Sequence, residues 1–266
     1  SATTEHALKC GKDAYFNGLK FNNTALLCCA FASAVDSLMA VKKFVYDDKT
    51  VTLKELSDAL DADWNGYEKL CLKIRNEAHK YGNHDKETDI YAAAIADFFS
   101  SRVSNIPNGR GGVYKVDMHS ARQFIEQGKK TLASADGRKN GNILSKNGSP
   151  CDGMEKNGAT ALIESALNLT PANFRESFGL DMMLHPSAVE GDDGLRILKA
   201  LLETYMESGG MTMQFNIFNS ETLRDAQKNP EKYRNLQVRV CGWNVLWNNL
   251  SREEQEAYIK RAQNIK

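Results

Sequence analysis

The chain of 266 residues lacks any apolar run close to the roughly 20 residues that span a bilayer. Its opening, SATTEHALKCGKD, carries no apolar core of the kind a secretory signal needs. An excess of charge of either sign is missing too. The 34 basic and 34 acidic residues cancel, which leaves no electrostatic footprint for nucleic acid or an anionic membrane. No CxxC pair and no HExxH spacing occurs, so neither a zinc site nor another metal centre is expected. Internal repeats and low-complexity tracts are also absent. What these absences leave is a soluble cytoplasmic protein with reduced thiols, no membrane and no nucleic-acid partner.

The composition that is there is ordinary for a globular protein, with 42% hydrophobic and 26% charged residues. A chain of this size can bury a proper core without disulfides, so the six cysteines (Cys10, Cys28, Cys29, Cys71, Cys151, Cys241) need not pair. Helical spacing of Leu27, Phe31, Val35, Leu38, Val41 and Val45 predicts a helix from Thr24, as N-cap, to Asp47. Cys28 and Cys29 then fall inside it as small core residues. Thr52 and Glu55 form a capping box for a short helix, and further helices are expected near Gly66–Tyr81 and Asp85–Ser101.

From Asn105 to Gly158 the chain is dense in Gly, Asn, Ser and Lys. A strand over Val113–Met118 and a helix over Ala121–Lys129 are expected to interrupt it. Composition alone reads the rest as a surface loop or linker, but its length calls for a function or disorder. Beyond it, helices are expected over Thr160–Leu167, Gly194–Ser208 and Glu221–Gln227. In MTMQFNIF the residues alternate: Met211, Met213, Phe215 and Ile217 face one way, and Thr212, Gln214 and Asn216 the other. The polar face either lines a cavity, with Gln214 and Asn216 as its lining residues, or meets solvent. A short strand LQVRV and a last helix capped by Ser251 close the chain. His185, in LHPSAVEGDDG, is read as a loop histidine with a substrate contact as the alternative. Alternating helices and short strands predict an α/β fold, helix-rich in its first third.

Gly242, in RVCGWNVLWNNLSREEQ, is the chemically most distinctive position. Loss of a hydrogen atom from a glycine α-carbon leaves a radical conjugated with the amide nitrogen on one side and the carbonyl on the other. That centre must become nearly planar, and a Cβ would obstruct it. Glycine also permits the backbone path of a loop tip pushed into a buried site. Taken alone, Gly242 could equally end the strand LQVRV at a turn.

Five segments bear on that choice: AVDSLMAVKKFVYDD (34–48), KYGNHD (80–85), ADGRKNG (135–141), QFNIFNSETLRDAQKNPEKYRNLQVRV (214–240) and RVCGWNVLWNNLSREEQ (239–255). In this order they resemble the C-terminal part of the pyruvate formate-lyase-like glycyl radical enzymes, and the last resembles the family's radical-site signature. Arg239, Val240, Cys241, Gly242, Trp243 and Gln255 fit that signature, with Trp243 in place of the commoner tyrosine. The resemblance implies part of a ten-stranded α/β barrel over residues 1–134 and a glycyl radical domain over 135–266. It implies Gly242 as the catalytic radical site, with Arg239, Val240, Cys241 and Trp243 supporting the loop. No cofactor would be bound permanently. A separate activating enzyme, using S-adenosylmethionine and an iron–sulfur cluster, would install the radical, which would pass to a cysteine thiol and thence to a small-molecule substrate. The setting would be anaerobic and the complete enzyme a homodimer.

The family's cysteine loop, GCxE-like, does not occur in these 266 residues. The expectation is therefore the radical-bearing portion or subunit of a lyase or dehydratase, with the thiyl cysteine elsewhere. The alternative is a non-catalytic radical-domain partner, or a repair subunit, that complements a separate catalytic chain.

Overall fold

The computed structural model describes residues 1–240 and 242–263. In chain order the elements are α1 (Glu5–Cys10), β1 (Thr24–Leu27), α2 (Phe31–Val41), α3 (Leu53–Asp61), α4 (Glu68–Glu77), α5 (Lys86–Val103), β2 (Tyr114–Asp117), α6 (Gln123–Gly128) and α7 (Gly158–Leu167). There follow β3 (Gly179–Leu184), α8 (Gly191–Glu207), β4 (Thr212–Ile217), α9 (Ser220–Lys228), β5 (Gln237–Val240), β6 (Trp243–Leu246) and α10 (Arg252–Gln263). β1 pairs with β2 and β3 with β4, both in parallel, while β5 and β6 form an antiparallel hairpin. A parallel bridge from Asp117 to Ser177 joins the first pair to the approach of the second. Parallel strands separated by helices make this an α/β fold.

Local signals produce many of these elements where the sequence predicts them. Thr52 and Glu55 make the reciprocal capping box of α3. Ser251 accepts from the Glu254 amide at the start of α10, and Glu254 returns the bond to the Ser251 amide.

The helix expected to begin at Thr24 does not. Thr24–Leu27 is a strand whose first amide donates to the Val113 carbonyl, and α2 starts only at Phe31, after Ala30 turns the chain at φ 67°. The apolar spacing carried nearly two turns too far upstream, because the strand partner that decides the matter lies some ninety residues away in the chain. α2 then runs into a π-helical turn, Lys42–Asp47. Cys28 and Cys29 consequently sit in the loop between β1 and α2, half-buried, and not in a helix. The Cys28 amide donates to the Asp117 carbonyl as the strand ends.

The Gly-, Asn- and Ser-rich stretch is the larger surprise. Residues 135–138 and 145–150 are buried, so this segment is neither a surface loop nor a linker there. Polar backbone can be buried only if its hydrogen bonds are met, and the buried Arg138 side chain ties down the turns that flank the buried residues. Its guanidinium donates to the carbonyls of Lys139 (2.9 Å), Asn142 (2.8 Å), Thr131 (3.2 Å) and Leu132. Trp64 donates its indole N–H to the Arg138 carbonyl, and Tyr81 its hydroxyl to that of Gly148. Gly148 lies so close to Phe178 that a Cβ would fall 2.5 Å from the ring, so only glycine fits.

The main core gathers Phe31, Val35, Met39, Tyr81, Val116, Phe174, Phe178, Leu180 and Tyr205. A second cluster, including Leu223, Val238, Val240, Trp247 and Ile259, packs the hairpin against α9 and α10. Among the described residues no helix is long and apolar enough to cross a membrane, and no group of three or more His, Cys, Asp or Glu could hold a metal ion.

Candidate functional site

Gly242 occupies the tip of the β5–β6 hairpin. The register pairs Val240 with Trp243, leaving a two-residue connection at 241 and 242. Two-residue hairpin loops require positive φ, and Gly242 supplies φ +101°. Cys241 lies outside the described residues.

Three side chains hold the backbone on the approach to this tip. Asn216 makes a double bond pattern with Arg239: its Oδ1 accepts from the Arg239 amide (2.8 Å) and its Nδ2 donates to the Arg239 carbonyl (3.0 Å). The Tyr258 hydroxyl, from α10, donates to the same carbonyl at 2.9 Å. Gln214 reaches the tip itself, its Oε1 accepting from the Gly242 N–H at 2.5 Å. Gln214 and Asn216 stand two apart on β4, so one strand face delivers both amides to the neighbouring hairpin.

The alternating strand expected at MTMQFNIF is therefore present, and on its polar face Thr212 is exposed while Gln214 and Asn216 do not meet solvent. Gln214 is 5% exposed and Asn216 is 4% exposed, and the polar groups of both are directed at the hairpin backbone. Met213, Phe215 and Ile217 pack against the main core on the other side. Of the predicted loop-support residues, Val240 is buried in the second core, Trp243 is partly exposed, and the Arg239 side chain turns along the hairpin to Asn244. Gln255, at the end of the motif, donates to the Trp247 carbonyl.

α10 fixes the hairpin from behind. Arg261, 2% exposed, donates to Glu155 (2.6 Å) and to the Asp181 carbonyl on β3 (2.7 Å). Lys146 is buried with its ammonium 5.3 Å from the Tyr258 ring centre. Burial opposes its charge, but Tyr258, Asp181 and Asp152 outweigh that and hold its pKa above the ordinary lysine value.

The α-carbon of Gly242 is not enclosed: the residue is exposed at the surface of this chain. Apart from its chain neighbours, a Cβ built there would meet one heavy atom within 4 Å among the described residues, the Nε2 of His119 at 3.5 Å. Sequence reasoning missed this histidine. The only available signal was its place just after the expected strand Val113–Met118.

Four of the described thiols, Cys28, Cys29, Cys71 and Cys151, are poorly suited to ionise. Burial, with help from Cys29, pushes Cys28 up to about 12. Burial likewise raises Cys29, Cys71 and, well above its usual range, Cys151. His185 caps a 3-10 turn by accepting from the Ser187 amide, the role of a structural loop histidine.

Comparison with known proteins bears on both halves of the chain. Residues 1–128 match the pyruvate formate lyase-like family model, and residues 144–248 match the glycine radical model. The chain is 34% identical to trans-4-hydroxy-L-proline dehydratase of Clostridioides difficile, over 99% of this chain and 33% of that protein. It is 33% identical to the 4-hydroxyphenylacetate decarboxylase glycyl radical subunit of Clostridioides difficile, over 92% of this chain and 30% of that one. Among solved structures, the glycerol-bound B12-independent glycerol dehydratase of Clostridium butyricum superposes with a TM-score of 0.89 at 32% identity, covering 98% of this chain and 33% of its own. The chain thus spans about a third of the length of the relatives it matches.

Proposed function

We propose, for a chain that belongs to the pyruvate formate-lyase-like glycyl radical enzymes, that Gly242 is the residue that stores the radical. The observation that carries this reading is the geometry of the hairpin tip. Gly242 has its amide held by Gln214, its approach clamped by Asn216 and Tyr258, and an α-carbon left open. Such a carbon is accessible to loss of a hydrogen atom while the strand end that leads to it is held. Gln214 and Asn216 act here as positioning residues, and α10 with Arg239, Val240 and Trp243 supports the loop.

The chemistry follows the division in which a cofactor generates the radical and the protein positions it. A separate activating enzyme, using S-adenosylmethionine and an iron–sulfur cluster, removes one α-hydrogen atom from Gly242. The Gly242 radical then takes a hydrogen atom from a cysteine thiol in the remaining part of the enzyme, restoring its C–H bond and leaving a thiyl. The thiyl abstracts hydrogen from a small-molecule substrate and regains it after the bond change. The reaction is of the dehydratase or C–C/C–X lyase type. The complete enzyme is a cytoplasmic, oxygen-sensitive homodimer of an anaerobic organism. Residues 1–134 contribute to its barrel and 135–266 form the radical domain.

A second reading is that of a non-catalytic partner. The chain then donates its radical domain to a separate catalytic chain, as a partner or repair subunit, and that chain covers the tip. Copurification with a larger cysteine-bearing chain, and activity only when the two are mixed, favour the second of the two readings. Both require that anaerobic incubation with the activating enzyme and S-adenosylmethionine yields a glycyl doublet by electron paramagnetic resonance. The doublet should be absent in Gly242→Ala. A doublet that survives Gly242→Ala places the radical elsewhere and overturns the assignment.

A further inference from the structure

Gln214 meets Gly242 at the amide N–H, the group through which a radical on the α-carbon is conjugated on its N-terminal side. Its Oε1 accepts from that N–H at 2.5 Å, and the glutamine that brings it there is 5% exposed. β4 fixes the side chain in place. Gln214 stands in register with the fully buried Asp181 of β3, and its strand neighbours Met213 and Phe215 pack against the main core. Two residues on, Asn216 clamps Arg239 from the same strand face. The acceptor is placed by the scaffold and not by the loop it serves.

The tip itself is not flat at rest. Gly242 has φ +101°, so its Cα–C bond stands almost perpendicular to the plane of the preceding peptide. Conjugation with the amide nitrogen needs that bond turned into the plane, as in extended backbone. Rotation about the N–Cα bond carries the Gly242 carbonyl with it but leaves the N–H where it is, against Gln214. The hydrogen bond therefore survives the flattening, and it also strengthens. Conjugation draws electron density from nitrogen into the half-filled orbital on the α-carbon, which makes the N–H a better donor. A bond from a polarised donor to an acceptor in buried surroundings is worth more than one between ordinary amides. An interaction that is stronger in one of two states shifts the balance towards that state.

We propose that Gln214 does more than hold the tip: its carbonyl stabilises the radical relative to the intact glycine, and so sets how firmly Gly242 retains it against a thiol. The inference rests on the assignment of the radical to Gly242. The step it weighs is a single atom transfer: the thiol S–H bond breaks homolytically, the new C–H bond forms at Gly242, and the unpaired electron moves to sulfur. Gln214 stays a neutral amide throughout and exchanges no proton. It is a positioning residue that acts through the Gly242 nitrogen.

The test uses the complete enzyme, activated anaerobically, with glutamine labelled by carbon-13 at its side-chain carbonyl. Electron–nuclear double resonance on the doublet should reveal a weak carbon-13 coupling, lost in Gln214→Leu. Leucine puts hydrocarbon of similar size against the N–H, so decay of the doublet under an added small thiol should be several-fold faster in that variant. Gln214→Glu keeps a carbonyl acceptor and should return the decay towards the parent rate. A normal doublet with no carbon-13 coupling in the unsubstituted enzyme overturns the Gln214 inference alone, whether or not the variants fold. So does an unchanged decay rate in a folded Gln214→Leu, or a folded Gln214→Glu that decays as fast as the leucine variant. No doublet at all in the unsubstituted enzyme overturns the Gly242 assignment and takes this inference with it.

Discussion

The buried turn around Arg138 and the exposed hairpin around Gly242 are both held by side chains bonding to backbone, but to opposite ends. At Arg138 one guanidinium gathers four carbonyls of the flanking turns, and the arginine itself lies in the buried segment 135–138. At Gly242, Gln214, Asn216 and Tyr258 each make one or two bonds to the strand end and the tip, and the α-carbon stays open. The first arrangement makes a rigid support in which no polar group of the arginine remains for chemistry. The second fixes a backbone while leaving a C–H bond accessible. Buried polar density marks the scaffold here, and exposure marks the candidate chemistry.

That contrast is broken most forcefully at Arg138. Arg138→Met removes a charged donor from four carbonyl hydrogen bonds, each worth roughly 1.5–3 kcal/mol in net terms. A loss of about 3 kcal/mol or more in urea unfolding is expected. A variant as stable as the parent would mean that the turn is not held as described.

A second test lies in the same polar region, at Asp36 on α2. Its Oδ1 accepts from the Tyr81 amide, yet burial pushes its pKa up from 3.8 to about 7. An acid whose folded pKa is raised binds more protons folded than unfolded between those values. Its contribution is therefore fully present below pH 3.8 and is lost as pH rises towards 7. At about 1.4 kcal/mol per unit the slope amounts to a few kcal/mol across that window. Asp36→Asn should flatten that part of the stability–pH curve, and an unchanged slope would count against a buried, neutral carboxyl.

The smallest effect belongs to the hairpin. Gln214→Leu removes the acceptor for the Gly242 amide, a bond of roughly 0.5–1.5 kcal/mol in net terms. Global stability should change by no more than about that much, while the yield of radical falls because the tip is no longer held. Equal effects on stability from Arg138→Met and Gln214→Leu would erase the distinction between scaffold and site.

The readable parts of this chain were those with local causes. The capping box at Thr52 and Glu55, the alternation of MTMQFNIF and the hairpin glycine each arise from residues a few positions apart. β3 was invisible because GLDMML is buried along its whole length and so shows no alternation. β1 was absorbed into a helical pattern, since its partner comes from 114–117. The segment ADGRKNG has the composition of a loop, and nothing nearby reveals that Trp64 and Arg138 itself keep it inside. Gly242 was found from sequence, but its neighbour His119, 123 residues earlier in the chain, had no pattern to reveal it.

The central claim, that Gly242 carries the radical, is tested most directly by admitting air to the activated enzyme and weighing the products. A carbon radical in the main chain reacts with oxygen and cleaves the chain where it sits. Mass spectrometry should find two fragments broken at position 242, absent without the activating enzyme and absent in Gly242→Ala. An intact chain from a sample that showed the doublet, or a break at another glycine, would contradict the assignment.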